Sequence, residues 1–120
     1  MNEENVSKFW DELVGRQLSS VEFVQDYLQL RFDGPSINVT NPLTVKENET
    51  EITSWNAGFR DLLCSQITKI VQYVTFEPEK ALTIRFIDNS QIAVSVRPED
   101  YSSPEAISAY GFSNNNWLVE

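Results

Sequence analysis

Apolar residues fall along this chain in two kinds of pattern, one helical and one alternating. Val6, Trp10, Leu13 and Val14 follow the i, i+4, i+7, i+8 spacing of a single helix face. Asn5 stands where an N-cap belongs, and Gly15 where a chain leaves a helix through the left-handed region. Trp55, Phe59, Leu62 and Leu63 repeat the stripe 49 residues later, with Ser54 at the cap position. Both stripes predict amphipathic helices, and both place a tryptophan in the core.

Elsewhere the period is two. Leu28, Leu30 and Phe32 alternate with Gln29, Arg31 and Asp33, and Leu82, Ile84 and Phe86 do the same, as do Ile92, Val94 and Val96. Such alternation predicts strands with one buried face. Asp33-Gly34 and Asp88-Asn89 are turn dipeptides, because Gly and Asn tolerate positive φ. Ile67 to Phe76 is apolar on both faces and reads as a central strand covered on both sides. Leu43 and Val45 prolong a strand past Pro42, which fits an edge. Ser103-Pro104-Glu105 starts either a short helix ending at Gly111 or an extended path. Asn114-Asn115-Asn116 then turns into a closing strand, Trp117-Leu118-Val119.

Aligned, these patterns give two copies of one unit, about 5–40 and 54–96, followed by an extension over 98–120. The expected fold is a single α+β domain over 1–120. It consists of two pseudo-repeats of a helix plus a three-stranded antiparallel meander, forming one curved sheet or a partly open barrel. Each copy is too short to bury its apolar faces alone, so the two must pack together.

Composition narrows the chemistry. With 120 residues and a hydrophobic fraction of 41%, the chain supports one core. Nine bases against eighteen acids give a net charge of −9, which argues against nucleic-acid binding through the phosphate backbone. Histidine is absent, removing imidazole bases, Ser-His-Asp and Cys-His nucleophile systems, and His-dependent metal sites. The one cysteine, Cys64, excludes an internal disulfide and reads as a buried, inert thiol at a helix end. The acidic start lacks the basic-then-apolar order of an export signal, and no stretch approaches the ~18 apolar residues of a membrane span. The expectation is a cytoplasmic protein without membrane contact.

Glu47, Glu49 and Glu51 alternate, so on a strand they share one face. A hard cation wants several such oxygens, but the spacing matches no EF-hand. The trio therefore reads as a solvated acidic loop, a contact surface for a basic partner. Asp33 and Asp88 read as turn supports rather than as a glycosidase pair. Arg31 and Arg85 hold equivalent strand positions and are candidate anion contacts. Trp117 is a candidate exposed contact. No phosphate loop, dinucleotide fingerprint or nucleophile elbow occurs, so no catalytic residue, cofactor or metal ligand is assigned.

The segment Leu-x-Leu-Arg-Phe-Asp-Gly at 28–34, its echo at 82–89, and Pro104-Glu105-Ala106 with Trp117 resemble a loose group of small acidic bacterial proteins of unknown function. Some of these resemble immunity proteins encoded beside secreted toxins. The resemblance implies a non-enzymatic, protein-binding role, with an acidic surface suited to a basic toxin. Two alternatives remain. One is a small-ligand binder or cofactor-independent enzyme with a pocket between the strands. The other is a structural subunit that oligomerises through strand edges or the Trp117 region.

Overall fold

Alternating burial turns into strands over most of the chain in the computed structural model, which describes residues 8–113 and the backbone of 117–119. Residues 8–10 are helical and tighten into a 3-10 turn at Asp11–Leu13. Asn5, Val6 and Asn114-Asn115-Asn116 lie outside the described residues. The strands are β1 (Ser20–Val24), β2 (Tyr27–Arg31), β3 (Ser36–Val39), β4 (Leu43–Glu47) and β5 (Thr50–Thr53), then β6 (Val71–Glu77), β7 (Ala81–Phe86), β8 (Gln91–Ser95), β9 (Ile107–Tyr110) and β10 (Trp117–Val119). The helix α1 (Phe59–Cys64) separates β5 from β6. Two five-stranded sheets result, in the orders β1-β2-β3-β9-β10 and β5-β4-β8-β7-β6.

The expected α+β class is overturned. The described residues are mostly β, 44% strand against 14% helical, in two antiparallel sheets that do not close. Helix plus meander is not its unit, because the second apolar stripe begins in turns and becomes helical only at Phe59. Ser54 caps nothing: its N–H and hydroxyl bond the Leu43 carbonyl at 2.8 and 3.0 Å, and its oxygen accepts the Leu43 N–H at 2.7 Å. The strand expected at the centre, β6, is an edge, whereas β4 and β9 lie inside their sheets. A register shift between Val71 and Tyr73 explains the double apolar face of β6. The bulge turns both Val71 and Val74 inward and leaves Tyr73 and the preceding Ile70 exposed.

Strand pairing relates the halves by a near-twofold axis, in a five-stranded unit the apolar stripes did not disclose. Moving 53 positions carries Leu18 onto Val71 and Arg16 onto Lys69. The Leu18 N–H bonds the Lys69 carbonyl at 2.9 Å, and its image, Val71 N–H to the Arg16 carbonyl, spans 2.8 Å. Gly15 N–H to Val71 and Thr68 N–H to Leu18 form a second such pair, at 2.9 and 2.8 Å. Gln17 and Ile70 face each other in an isolated bridge at the axis. Each half keeps three strands in one sheet and sends the next hairpin to the other: β4-β5 flanks β8, and β9-β10 flanks β3. The crossovers match as well, Thr40 N–H bonding Ala106 at 3.0 Å and Ser95 N–H bonding Pro42 at 2.9 Å.

One core lies between the sheets. Leu28, Leu30, Ile37, Val39, Ile107 and Ala109 enter it from the first, and Leu43, Val45, Leu82, Ile84, Phe86, Ile92 and Val94 from the second. Trp10, Leu13, Phe59 and Leu63 join it from the helical segments. Burying each large apolar side chain contributes about 1.5–3 kcal/mol. The interlocked hairpins make that core common property, so neither half owns a separate one.

The axis exposes one strained position. Gly15 and Thr68 are images of each other, with φ of 85° and 84°. Glycine adopts that conformation freely, but a β-branched residue does so at a cost. Thr68→Gly is therefore expected to stabilise the fold by about 0.5–1 kcal/mol, read as a higher urea midpoint at unchanged m. A lower midpoint would contradict the equivalence.

Candidate functional site

Ser54, fixed to Leu43, is the second residue of a tight turn that closes with the Asn56 N–H on the Thr53 carbonyl at 3.2 Å and the Asn56 side-chain amide on the same oxygen at 3.0 Å. Trp55 occupies its third position with φ of 70°. That position in a type II turn falls to Gly or Asn, so a bulky side chain there is strained. Gly58 (φ 84°) then lets the chain enter α1, where Phe59 is buried. The turn throws Trp55 outward, 58% exposed, against the expectation of a core tryptophan. Trp10, by contrast, is 1% exposed.

Trp55 does not stand alone. Its ring lies 5.6 Å from Phe59 in an edge-on contact and 6.3 Å from Phe23 of β1, itself partly exposed. The Arg60 guanidinium sits 5.7 Å from the Phe23 ring and 5.6 Å from the Trp55 ring. An open groove of about 370 Å³ runs beside them, lined by Trp55, Asn56, Gly58, Phe59, Arg60 and Asp61. Trp and Arg are enriched among the residues that carry binding energy at protein interfaces, and Phe is enriched in interface composition. The turn-forming run Ser54-Trp55-Asn56-Ala57-Gly58 was the signal in the sequence for this site, masked by the apolar spacing around it.

Polar chemistry gathers at a second place. The Lys69 ammonium bonds the Glu47 carboxylate and lies 2.9 Å from Asp88 Oδ2 and 3.1 Å from the Ser90 hydroxyl. Gln66, fully buried, donates to Glu47 at 3.3 Å. Asp88 Oδ1 also accepts the Ser90 N–H at 2.9 Å, the Asx bond expected of a turn aspartate. For Asp88, desolvation favours the neutral acid. Bonds from Ser90 and Lys69 outweigh it and lower the carboxyl to about 2. The bond from Lys69 lowers Glu47 as well. Burial opposes charge on Lys69, but its two carboxylate partners win and raise it. These groups form a junction between β4, the segment before β6 and the β7–β8 turn. Every charge in it already has a partner, so its role is structural.

The junction fixes an acid dependence. Asp88 titrates lower folded than unfolded, so its stabilisation is complete above about pH 4 and disappears as pH falls towards 2. Lys69 is raised, so its share persists through neutral pH and goes only under strongly alkaline conditions. Because the Asp88 side chain is 47% exposed, the discounted effect is about 1 kcal/mol. Between pH 5 and 2.5 the wild type is expected to lose about that much more stability than Asp88→Asn, measured by urea unfolding. Equal losses would contradict the junction.

The remaining candidates do not assemble. Glu47 ends β4 and faces Lys69, Glu49 lies in the turn, and Glu51 pairs opposite Lys46 on the other face. The segment read as an acidic loop is instead a hairpin, with only Glu49 of the three in its turn. Arg31 belongs to the first sheet and bonds Gln29 at 3.1 Å. Arg85 belongs to the second, over Tyr73 at 5.9 Å. Asp33 bonds Arg16 through its carbonyl rather than its carboxylate. Cys64 is exposed, not buried. Trp117 starts β10, and its side chain lies outside the described residues.

A wider groove of about 530 Å³ crosses the outer face of the second sheet, over Thr53, Thr44, Ala93 and Ala81 with Lys80 and Arg97 beside it. Across the axis, the places of Ala93 and Thr83 are taken by Asn38 and Gln29. These bond each other at 3.0 Å, so the equivalent face carries a side-chain network. No helix among the described residues is long and apolar enough to cross a membrane. No family model, curated protein or solved structure matches the chain.

Proposed function

We propose that this chain is a non-enzymatic protein-binding module, an immunity-type inhibitor acting in the bacterial cytoplasm, which docks a basic partner through Trp55, Phe23 and Arg60. One observation carries the reading: a tryptophan 58% exposed and held at a φ of 70°. Folding gains little from that arrangement, whereas an interface gains a rigid aromatic anchor. Exposed acids lie on the same elements, Glu22 beside Phe23 and Asp61 beside Arg60. With a net charge of −9, they favour rapid association with a positive surface.

The test compares immobilised wild type with Trp55→Ala in capture from a bacterial extract, at low and high salt. The expected result is a basic protein held by the wild type, released by salt, and absent from the variant. Identical captures by both proteins would overturn the proposal. A second reading, a small ligand in the wider groove, is supported by the small side chains that line it. It would be favoured if Ala93→Gln, which fills that groove, abolished binding that Trp55→Ala left intact.

A further inference from the structure

We infer that Arg60 is a carboxylate receptor: the partner docked at this surface presents an Asp or Glu side chain to the guanidinium edge. The inference rests on the docking reading above and specifies its central contact.

Arg60 is exposed on α1, and its guanidinium lies over two rings, Phe23 at 5.7 Å and Trp55 at 5.6 Å. The ring centroids are only 6.3 Å apart, so both rings lie in one hemisphere around the cation. A cation held against ring faces by charge makes no hydrogen bond to them, so its N–H donors stay available. Among the described residues Arg60 has no hydrogen-bond acceptor and no ion pair. Four other cations are already engaged. Lys69 is held by Glu47 and Asp88, Arg97 by Asp100 at 3.4 Å, and Lys80 by Glu77 at 3.5 Å. Arg16 bonds the carbonyls of Glu12 and Asp33 at 3.0 and 3.1 Å.

Two rings holding an arginine in place reduce the entropy lost when it binds, and they thin its hydration. The group matching a planar fork of free donors is a planar oxyanion pair, bound through two parallel bonds. A carboxylate suits the setting better than phosphate, because Asp61 lines the same groove and repels a dianion more than a monoanion. The charges then alternate: a base beside the acid Asp61 here meets an acid flanked by bases on the partner. That pattern selects an orientation as well as a partner.

The probe is acetate, titrated at constant ionic strength against the isotopically labelled protein, with chloride and inorganic phosphate as parallel arms. The Arg60 Nε–H and Trp55 indole N–H resonances are followed. Acetate is expected to give saturating shifts at both, larger than those from phosphate, while chloride gives none. Arg60→Lys keeps the charge but loses the fork, and is expected to abolish the saturating response. Equal responses to all three anions, a stronger response to phosphate, or an undiminished response in Arg60→Lys would each overturn the inference. Should Trp55→Ala abolish partner capture while acetate leaves Arg60 unmoved, the docking surface stands and the carboxylate receptor falls. Unchanged capture with a saturating acetate response would sink the docking reading and with it this assignment of the partner's contact.

Discussion

Trp55→Gly is expected to cost no stability, and to raise it by up to about 1 kcal/mol, while weakening partner binding at least about 30-fold. Each half of that result has its own cause. Replacing a tryptophan in a packed core costs roughly 3–5 kcal/mol, because a cavity remains. Here the ring is 58% exposed and the backbone sits at a φ of 70°, a conformation glycine adopts freely. Relief of strain then offsets the lost contacts with Phe59 and Phe23. Binding should respond in the opposite sense, since the same ring flanks Arg60 and lines the groove. Thermal unfolding and titration with the captured partner measure the two effects separately. A fall in stability of several kcal/mol would show that Trp55 works as a core residue.

Lys69→Ala is expected to destabilise the fold by about 2 kcal/mol, well beyond what a surface ion pair contributes. The Lys69 side chain is 17% exposed, and its removal leaves Glu47 and Asp88 facing each other without the cation between them. The cost stays below the 3–5 kcal/mol of a fully buried pair, because water reaches both carboxylates. The twofold relation supplies a matched control. Arg16 is the image of Lys69, but it bonds backbone carbonyls rather than carboxylates. Arg16→Ala strands no charge and should cost about 1 kcal/mol or less. Urea unfolding at neutral pH compares the two, and equal costs would contradict the junction.

Much of the strand content was legible because period two is unambiguous. Leu28-Leu30, Leu82-Ile84-Phe86 and Ile92-Val94 all point inward as the alternation required. The helices were overread for a definite reason. Residues four apart share a helix face, so a stripe slid by one turn looks the same. The sequence match at 49 therefore aligned Trp10 with Phe59, whereas the offset of 53 set by the reciprocal hydrogen bonds aligns it with Leu63. Periodicity also assumes a regular ladder, and the bulge before Tyr73 broke that assumption in β6. Sheet membership was invisible for a different reason. Residues 40–42 are a short polar link, and nothing local reveals that β4 leaves its own meander to pair with β8. The docking cluster was hidden likewise, because Phe23 and Arg60 meet only through tertiary contact.

Hydrogen–deuterium exchange on the complex with the captured partner tests the docking surface most directly. Binding is expected to slow exchange in peptides covering β1 and residues 55–62, and to leave β7 and β8 unchanged. Slowed exchange confined to the Glu47–Glu51 hairpin or to the outer face of β4, β7 and β8 would contradict it.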